Sequence, residues 1–340
     1  MRELLYSIRD LTVDYHSREG DLRAVDRVSL EIERGEVLGL VGESGCGKST
    51  LGKALMRLIA EPGEITAGEL WFHGRGGSNR YDGCDLMKLS ESQMREVRGK
   101  SISMIFQDPM TSLNPVQRIV DHLTETIRTH EPKVSEKAAR ARAAELVNRL
   151  GIRPERIEDY PHQLSGGMRQ RVMISLALSL RADLVVADEA TTSLDVIVEA
   201  QFLDLLRELC EEFELTILLI THNIGIVAEA ADRVAVMYAG RLAELGGVHD
   251  VFGQTLHPYA DGLLKAVPNI KLVDDELYRM EGAPPNLIAP PSGCRFHPRC
   301  PRVMEMCSEQ APSFGEYRAE HSTACWLYED VPALDDASTN

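Results

Sequence analysis

The sequence lacks the excess of positive charge with which proteins attract nucleic acid or anionic lipid over a broad surface. Its 37 lysines and arginines stand against 53 aspartates and glutamates, and the formal net charge at pH 7 is -16. A charge of this sign repels polyanions and favours solubility. The composition therefore argues against a protein that acts through general attraction to DNA, RNA or membranes.

The chain also lacks the hydrophobic segments that direct export or span a membrane. Its opening residues, MRELLYSIRD, contain no apolar core followed by a small-residue cleavage site. No stretch approaches the roughly 18 consecutive apolar residues of a membrane-spanning helix. We therefore expect a protein of the cytosol, where thiols are kept reduced and disulfides are rare.

Cysteine is scarce, with seven residues in 340, yet four of the seven fall in one short region near the end of the chain. Five, six and seventeen residues separate these four, which are Cys294, Cys300, Cys307 and Cys325. We call residues 294–325 the cysteine segment. Because disulfides are disfavoured in the cytosol, the first hypothesis for this segment is a metal site.

Spacing alone leaves the identity of that metal open. Structural zinc sites usually contain cysteine pairs separated by about two to four residues, which this segment lacks, although His297 and His321 would allow a mixed zinc site. Cys300 followed by Pro301 resembles an iron–sulfur ligand sequence. Packing without metal is the third alternative. Metal ligation would supply the folding free energy that a small tail with few aliphatic residues cannot gain by burial.

Four short apolar runs alternate with segments of helical character such as residues 48–59 and 199–213. The runs are VLGLVG (37–42), ISMIFQ (102–107), LVVADE (184–189) and TILLITH (216–222). Together they predict a parallel sheet that is covered by helices on both faces. Ligands bind such sheets at the carboxyl ends of the strands. The sequence places a glycine loop, Gln107, Asp188 with Glu189, and His222 at those ends.

The glycine loop GESGCGKST matches the pattern GxxxxGK(S/T) and lies between a predicted strand and a predicted helix. In such a loop, backbone N–H groups and the helix N-terminus surround the phosphates of a nucleotide. We expect Lys48 to bridge the β- and γ-phosphates and Ser49 to bind Mg²⁺. The predicted ATP-binding residues of the loop are Gly42, Glu43, Ser44, Gly45, Cys46, Gly47, Lys48, Ser49 and Thr50.

Two neighbouring carboxylates, Asp188 and Glu189 in LVVADE, lie at the same predicted edge of the sheet as the glycine loop. Asp188 leaves an apolar strand, where a carboxylate is costly unless a cation is close, so we expect it to hold the Mg²⁺ shell. Its neighbour Glu189 is then placed to orient or deprotonate the attacking water. The alternative interpretation is a helix N-cap followed by an acidic residue in the first turn.

A second pair of glycines occurs in QLSGGMRQRVMISLALSL, where Ser165, Gly166 and Gly167 open a strongly helical segment 23 residues before Asp188. The N-terminus of a helix attracts anions, so this stretch is a second candidate phosphate site. Taken alone, it also fits an ordinary helix capped by a serine.

In their order along the chain, these motifs resemble those of the ATP-binding-cassette (ABC) ATPases over roughly residues 1–250. The resemblance implies that Gln107, Glu189 and His222 are catalytic and that Ser49, Gln107 and Asp188 hold Mg²⁺. Tyr15, in LTVDYH, matches the aromatic residue that stacks on adenine, although packing within a strand is an equal alternative. The remaining matches are the signature, Leu164, Ser165, Gly166, Gly167 and Met168, and the D-loop, Ser193, Leu194 and Asp195.

The resemblance also implies a fold and an assembly. It implies an α/β P-loop NTPase (RecA-like) core with an antiparallel β subdomain and a helical subdomain near residues 108–165, plus a small cysteine-rich C-terminal extension. Residues 1–252 would form the nucleotide-binding domain and residues 253–340 the extension, entered through a proline-rich linker. In this family the signature faces the ATP that the other subunit binds in a head-to-tail dimer. Hydrolysis would therefore require a partner subunit.

Within the family, the segments QDPMTSLNP, DRVAVMYAGR and HPYADGLLKAVP and the cysteine segment are similar to those of dipeptide and oligopeptide importer ATPases. Some members of that branch serve nickel or oligosaccharides. The resemblance implies a [4Fe–4S] cluster on the four cysteines, with Zn²⁺ as the alternative. Two departures from the family pattern are Ala190, where proline is common, and Asn223, where aspartate is common.

The implied partners are a second, homologous ATPase subunit in a heterodimer, two membrane permeases and an extracytoplasmic substrate-binding protein, without nucleic acid. The helical subdomain would receive a coupling helix from a permease, which would hold the chain at the cytoplasmic face of the membrane as a peripheral subunit. We further expect the cysteine segment to lie more than a domain away from the ATP site. Loss of the metal centre would then leave nucleotide affinity unchanged.

Two rival functions fit the motifs less well. ABC proteins of DNA repair insert a long coiled coil between the first glycine loop and the signature, but Lys48 and Ser165 are only 117 positions apart, and ribosome-acting members carry two cassettes where this chain has one. The soluble ATPase of iron–sulfur assembly would account for cysteines, but that type ends without this tail.

Overall fold

The computed structural model describes residues 2–74, 80–106, 112–190, 214–266 and 280–329, together with residues 199, 204, 206–208, 210 and 212. The chain divides into two compact units, and each unit is discontinuous in sequence. The first unit comprises Met1–Tyr6, Ile32–Glu36 and Trp71–Leu218, and the second comprises Ser7–Glu31, Val37–Leu70 and Leu219–Asn340. Within the described ranges, no helix is both long enough and apolar enough to cross a membrane.

Twelve strands occur in the described part of the chain. In sequence order they are β1 (Leu4–Ser17), β2 (Gly20–Glu33), β3 (Val37–Val41), β4 (Gly63–Phe72), β5 (Cys84–Asp85), β6 (Ile102–Ile105), β7 (Leu184–Asp188), β8 (Thr216–Ile220), β9 (Arg233–Tyr238), β10 (Arg241–Gly247), β11 (Gly315–Arg318) and β12 (His321–Thr323). The four apolar runs predicted as strands form β3, β6, β7 and β8, which confirms those predictions.

The α-helices are numbered in chain order among the described residues. They are α1 (Lys48–Leu55), α2 (Glu91–Val97), α3 (Ile119–His130), α4 (Glu136–Arg149), α5 (Gly166–Leu178), α6 (Ile224–Ala230), α7 (Val248–Gly253), α8 (Pro258–Lys265) and α9 (Met306–Glu309). Short 3₁₀ helices occupy Leu86–Lys88, Pro154–Glu158, Pro161–Gln163 and His297–Arg299. The helix predicted at residues 199–213 lies largely outside the described residues.

The first unit contains parallel strands that are buried on both faces. β6 runs parallel to β7, with Ile102 opposite Leu184 and Ile105 opposite Ala187, and the beginning of β8 follows β7 in the sheet. Every residue of β6 and β7 is buried. Continuous apolar runs, rather than alternating ones, are therefore what these strands require.

Two amphipathic helices of the first unit pack against each other. α3 buries Ile119, Leu123 and Ile127 at intervals of four residues, and α4 buries Ala139 and Ala143 in the same way. This spacing places the apolar side chains on one face of each helix. Both helices lie within residues 108–165, the range in which the resemblance implied a helical subdomain.

In the second unit, the C-terminal residues extend the sheet that contains the glycine loop. The strand order there is β11-β12-β10-β9-β3, which continues to the end of β8. β3 runs parallel to β9, whereas β9, β10, β12 and β11 pair antiparallel in succession. Residues 315–318 and 321–323 are therefore hydrogen-bonded into the sheet of the second unit.

The smaller sheet has the strand order β2-β1-β4-β5. β1 and β2 are consecutive, each fourteen residues long, and a turn at residues 18–19 joins them, while β4 runs antiparallel to β5. In β2, the buried residues Val28 and Leu30 alternate with exposed ones, as expected for a strand with one solvated face. This sheet is the antiparallel β subdomain that the resemblance implied.

Aromatic rings fix the cysteine segment to the core of the second unit. Phe296 is 2% exposed, and its ring centroid lies 5.2 Å from that of Tyr238 in β9 and 5.4 Å from that of Tyr259 in α8. Burying a phenylalanine side chain stabilises a fold by roughly 1.5–3 kcal/mol. Because Phe296 follows the first two residues of the segment, this contact anchors the segment at its beginning.

A buried carboxylate ties the end of the segment to the same sheet. Glu244 in β10 is inaccessible to solvent and accepts hydrogen bonds from the backbone N–H groups of Leu256 (2.9 Å) and His257 (2.7 Å). Its Oε1 also lies 2.7 Å from Nε2 of His321 in β12. A buried charge is tolerated only when partners of this kind surround it. Glu244 thus joins β12 and the start of α8.

Candidate nucleotide-binding site

The glycine loop joins β3 to α1 in the second unit, as the motif requires. Gly42 has φ 151° and Gly47 has φ 106°. A Cβ atom on Gly42 would lie 2.1 Å from the carbonyl oxygen of Met237, and one on Gly47 would lie 2.1 Å from that of Ala24. Any side chain would therefore collide with backbone at both positions. The loop is wrapped tightly against β9 and β2.

The lysine of the loop lies over the loop backbone. Nζ of Lys48 donates to the carbonyl oxygens of Gly42 at 2.8 Å and Glu43 at 3.0 Å, and the residue is 4% exposed. The neighbouring Cys46 is also buried, and burial raises the pKa of its thiol, which keeps it protonated and unreactive at neutral pH. The ammonium group of Lys48 therefore lies at the loop in which the motif predicts phosphate binding.

Tyr15 lies near the end of β1 in the same unit and is half-buried. A Cβ atom on Gly63, the first residue of β4, would approach its ring to 2.5 Å, so the ring lies directly against that glycine. This contact agrees with a packing role for Tyr15, and it also agrees with a ring that stacks on adenine through its other face. The adenine role stays a prediction.

The two carboxylates after β7 differ in environment and backbone. Asp188 ends the strand and is 2% exposed, whereas Glu189 is half-buried and has φ 46°. A left-handed conformation costs a residue other than glycine roughly 1–2 kcal/mol and is found disproportionately at functional sites. The conformation of Glu189 supports the hypothesis that this residue acts in catalysis. It also shows that the pair is not the regular helix start offered as the alternative.

His222 follows β8 on the segment that leads into α6. Its neighbour Asn223 is the N-cap of that helix, and its side chain accepts a hydrogen bond from the N–H of Gly225 at 3.0 Å. Oγ1 of Thr221 accepts from the N–H of Asn223, also at 3.0 Å. Asparagine caps a helix about as well as aspartate. The departure at position 223 therefore keeps the local structure that presents His222.

The signature forms the start of α5 in the first unit. Ser165 is the N-cap, and its Oγ accepts from the N–H of Met168 at 3.3 Å. Leu164 is buried, whereas Ser165 and Gly166 are exposed. Among the described residues, no atom lies within 4 Å of a Cβ atom built on Gly166. The chain's own described packing therefore gives no reason for glycine at this position.

Four of the predicted site residues cannot be placed in this way. Gln107 and the D-loop residues Ser193, Leu194 and Asp195 lie outside the described residues. Their roles stay predictions, as do the Mg²⁺ ligands that include Gln107.

The four cysteines of the segment surround one enclosed cavity, which Phe296, His297 and Trp326 also line. The backbone N–H of Cys294 donates to the carbonyl oxygen of Cys307 at 2.8 Å. Burial raises the pKa of the thiols of Cys294 and Cys300, and that of Cys325 to about 11. None of the seven cysteines forms a disulfide. The fold thus brings the four thiols of residues 294–325 to the walls of one cavity.

The same thiols do not form a site for a single ion. In the parts of the chain that the structure describes, no three His, Cys, Asp or Glu side chains are grouped closely enough to hold one metal ion. Nδ1 of His297 lies 2.9 Å from the carbonyl oxygen of Cys294, and Nε2 of His321 is bound by Glu244. His297 lines the cavity with the cysteines, but among the described residues neither histidine forms a group of three ligands with them.

The expected separation between the cysteine segment and the ATP site is wrong. Arg299, next to Cys300, donates from Nη1 and Nη2 to the two carboxylate oxygens of Glu43 at 2.7 and 2.9 Å. Glu43 is the second residue of the glycine loop, 256 positions away in sequence. The side chain of Arg299 is 4% exposed. The segment therefore folds back onto the loop instead of forming a remote domain.

A second arginine of the segment, Arg295, contacts residues next to the glycine loop. Nη2 of Arg295 lies 2.7 Å from Oδ2 of Asp26, and Nη1 donates to the carbonyl oxygen of Ala239. The N–H of Gly240 in turn donates to the carbonyl oxygen of Cys46 at 2.9 Å. Burial lowers the pKa of Arg295 to about 10, so its guanidinium stays charged at neutral pH. Sequence analysis identified neither arginine, because nothing in the local sequence distinguishes these two buried arginines from exposed ones.

Comparisons with known proteins agree with this geometry. The sequence profile of the ABC transporter family matches residues 25–192. The solved structure of the ATP-binding cassette MJ0796, a dimer in a post-hydrolysis state bound to ADP and Pi, superposes with a TM-score of 0.63 at 25% identity, covering 72% of this chain and 99% of that one. Fold and profile together define an ABC ATPase cassette.

The C-terminal region and the full-length relatives narrow the family further. A profile described as the oligopeptide/dipeptide transporter C-terminal region matches residues 243–307. The dipeptide transport ATP-binding protein DppD of Bacillus subtilis is 43% identical over 96% of this chain and 95% of its own length. The oligopeptide transport ATP-binding protein OppD of Escherichia coli is also 43% identical, over 95% and 93%. The chain belongs to the oligopeptide and dipeptide branch of the ABC transporter ATPases.

Proposed function

We propose that the chain is the ATP-hydrolysing subunit of an ABC importer for dipeptides or oligopeptides. The observation that carries this proposal is the joint occurrence of a fully formed phosphate-binding loop and the oligopeptide/dipeptide C-terminal region in one chain. The relatives DppD and OppD, which are dipeptide and oligopeptide transport ATP-binding proteins and match over nearly the whole length, support it. Import of nickel or oligosaccharides is the alternative within the same branch.

The loop and the strand ends supply distinct parts of the chemistry. Lys48 and the backbone N–H groups of the glycine loop bind the β- and γ-phosphates. Ser49, Gln107 and Asp188 are the proposed ligands of Mg²⁺, which supplies positive charge for the developing negative charge of phosphoryl transfer. Glu189 is the proposed acceptor of a proton from the attacking water, and His222 is the proposed switch residue. Tyr15 receives the adenine ring.

The proposed active unit is a dimer in which each signature faces the ATP of the other subunit. Ser165, Gly166 and Gly167 offer an exposed helix N-terminus, which favours an approaching γ-phosphate. Among the residues that the structure describes, none fills the space next to Gly166, and this supports the role because it leaves room for the partner's nucleotide. We propose a heterodimer with a second homologous ATPase. Two permeases and an extracytoplasmic binding protein complete the transporter.

The proposed location is the cytoplasmic face of the membrane, where the chain would be held by the permeases. The region around α3 and α4 is the proposed receptor of the permease coupling helix. The boundaries of the nucleotide-binding domain, 1–252, and of the extension, 253–340, belong to this proposal.

We also propose that Cys294, Cys300, Cys307 and Cys325 hold a [4Fe–4S] cluster. The fit of the residues rests on their number and placement, since four thiols line one enclosed cavity and four thiolates are the ligand set of such a cluster. The cluster would supply folding free energy to the segment, and the cavity walls would shield it from water. Protein purified without oxygen should be brown, absorb near ~400 nm and contain about four irons per chain. Colourless protein with one zinc per chain would decide for zinc instead.

Reconstitution tests the transport function directly. The chain is assembled in proteoliposomes with two candidate permeases and a second homologous ATPase from the same organism, and the candidate binding protein is added on the outside. Peptide added with the binding protein should stimulate ATP hydrolysis and accumulate inside the vesicles. Stimulation by nickel or an oligosaccharide, but not by peptide, would decide for the alternative. Failure to co-purify with any permease would contradict the importer function altogether.

A further inference from the structure

An arginine of the cysteine segment, Arg299, pairs with Glu43 of the phosphate-binding loop. Arg299 holds both carboxylate oxygens of Glu43, and its Nη1 also donates to Oη of Tyr238 at 3.3 Å. Its Nε donates to the carbonyl oxygen of Glu281 at 3.1 Å. The guanidinium carbon lies 5.8 Å from the centre of the Tyr238 ring. A guanidinium held at Nε, Nη1 and Nη2 has a fixed orientation, unlike an arginine in a solvated surface pair.

The partner of this arginine is itself held at three points. The backbone N–H of Glu43 donates to Oη of Tyr259 at 2.8 Å, and its carbonyl oxygen accepts from Nζ of Lys48 at 3.0 Å. Its side chain is the third point, in the pair with Arg299. The conformation of the loop's first turn therefore depends on contacts from α8, from α1 and from the cysteine segment.

Of the three contacts, the pair with Arg299 matters most for nucleotide binding, because it involves the negative charge of Glu43. An ATP polyphosphate carries several negative charges, and a carboxylate in the loop that receives it would repel them, more strongly where water is partly excluded. The bidentate pair with Arg299 cancels that charge. The same pair keeps the carboxylate turned toward the cysteine segment.

We propose that Arg299 is a positioning residue for nucleotide binding, which neutralises Glu43 and fixes the first turn of the phosphate-binding loop. This inference rests on the proposed role of residues 42–50 in binding ATP. It assigns the cysteine segment a part in the ATPase site, through a residue that does not itself touch the nucleotide.

The first test replaces Arg299 in the full-length chain. Affinity for Mg·ATP is measured by calorimetry, and kcat and KM are measured in the assembled transporter. Arg299→Ala should raise Kd and KM roughly tenfold, the effect of losing one hydrogen bond to a charged group. It should leave kcat within about twofold, because the groups assigned to the chemical step are unchanged. Arg299→Lys should lie between, because it keeps the charge but loses the fork.

A second variant separates neutralisation from a purely structural role. In Arg299→Ala the carboxylate of Glu43 is left unpaired, so adding Glu43→Gln should recover a large part of the lost affinity. If Arg299 served only to fold the segment, the double variant would bind no better than the single one. Arg318→Ala is the matched control, since this arginine of the same segment donates to Oε1 of Gln254, a residue outside the phosphate-binding loop. It should leave Kd unchanged.

Three results would overturn the inference: an unchanged Kd in folded Arg299→Ala protein, no recovery in the double variant, or an equal loss in Arg318→Ala. If Arg299→Ala does not fold, the comparison is made with Arg299→Lys, for which an unchanged KM would count against the proposal. The unmodified chain serves as the reference. Its failure to bind Mg·ATP would contradict the proposed function itself rather than the role of Arg299.

Discussion

The two glycine-rich stretches of this protein use glycine for different reasons. In the phosphate-binding loop, Gly42 and Gly47 are required by the chain itself, because a Cβ atom on either would lie 2.1 Å from a backbone oxygen. In the signature, a Cβ atom on Gly166 would meet no described atom within 4 Å. Contacts within the chain therefore account for Gly42 and Gly47 of the first loop. The described residues leave the space beside Gly166 open, which agrees with the proposed approach of a partner's nucleotide.

The largest expected effect comes from filling the first loop. Gly47→Ala drives a Cβ atom into the carbonyl oxygen of Ala24, so the loop must move and Mg·ATP binding should be lost, which calorimetry on the folded variant would show. Gly45→Ala is the matched control, because Gly45 also has positive φ, 79°, but no described atom lies within 4 Å of a Cβ atom built on it. Gly45→Ala should lower the stability of the loop conformation by only roughly 1–2 kcal/mol, the cost of a left-handed conformation for a residue other than glycine. Equal losses in both variants would show that backbone strain, not the collision, matters.

A smaller effect is expected from filling the second stretch. Ser165→Arg places bulk and charge beside Gly166 and Gly167, so ATP-driven dimerisation should be abolished while the subunit still binds Mg·ATP. Size-exclusion chromatography with light scattering measures the first property and calorimetry the second. Ser135→Arg is the control, since Ser135 caps α4 in the same way, with its Oγ accepting from Ala138 at 3.2 Å. Loss of ATP binding in Ser165→Arg would instead mean that the signature serves its own nucleotide.

A third change leaves both glycine stretches intact and isolates the chemical step. Glu189→Gln removes the proposed base, so turnover in the assembled transporter should fall by at least roughly 10², the size of a general-base contribution. Binding of Mg·ATP and dimerisation should persist. Steady-state ATPase assays and the dimer assay together check this. Near-normal ATP hydrolysis at the site that contains Glu189→Gln, measured with the partner subunit's site inactivated, would show that Glu189 is not the base.

The smallest expected effect concerns stability. Ser165→Ala and Ser135→Ala each remove a helix N-cap and should lower the free energy of unfolding by about 1 kcal/mol, as measured by denaturant titration. The two variants should differ in function, because only Ser165 belongs to the proposed phosphate site. ATPase activity should therefore fall in Ser165→Ala and not in Ser135→Ala. Equal activity in the two variants would mean that Ser165 is a structural cap alone.

Local pattern was enough to predict the parts of the fold whose signal is local. β3, β6, β7 and β8 are continuous apolar runs because they are buried on both faces, and they were found where the sequence indicated. α5 begins at the serine cap that the sequence showed. β9 to β12 were not predicted, although β9 lies next to β3 in the sheet. Two of them, β11 and β12, are only four and three residues long, too short for a periodic signal.

By itself the sequence determined the phosphate-binding loop, the strand ends with their polar residues, the signature and the four cysteines, because each depends on spacing between neighbours in the chain. Only the tertiary structure decided what the cysteine segment contacts. Arg299 and Glu43 are 256 positions apart, and the pair forms because Phe296 packs against Tyr238 and Tyr259 beside the loop. An ion pair of this kind has no periodicity and no local composition. It exists only once the end of the chain has been folded back onto the sheet.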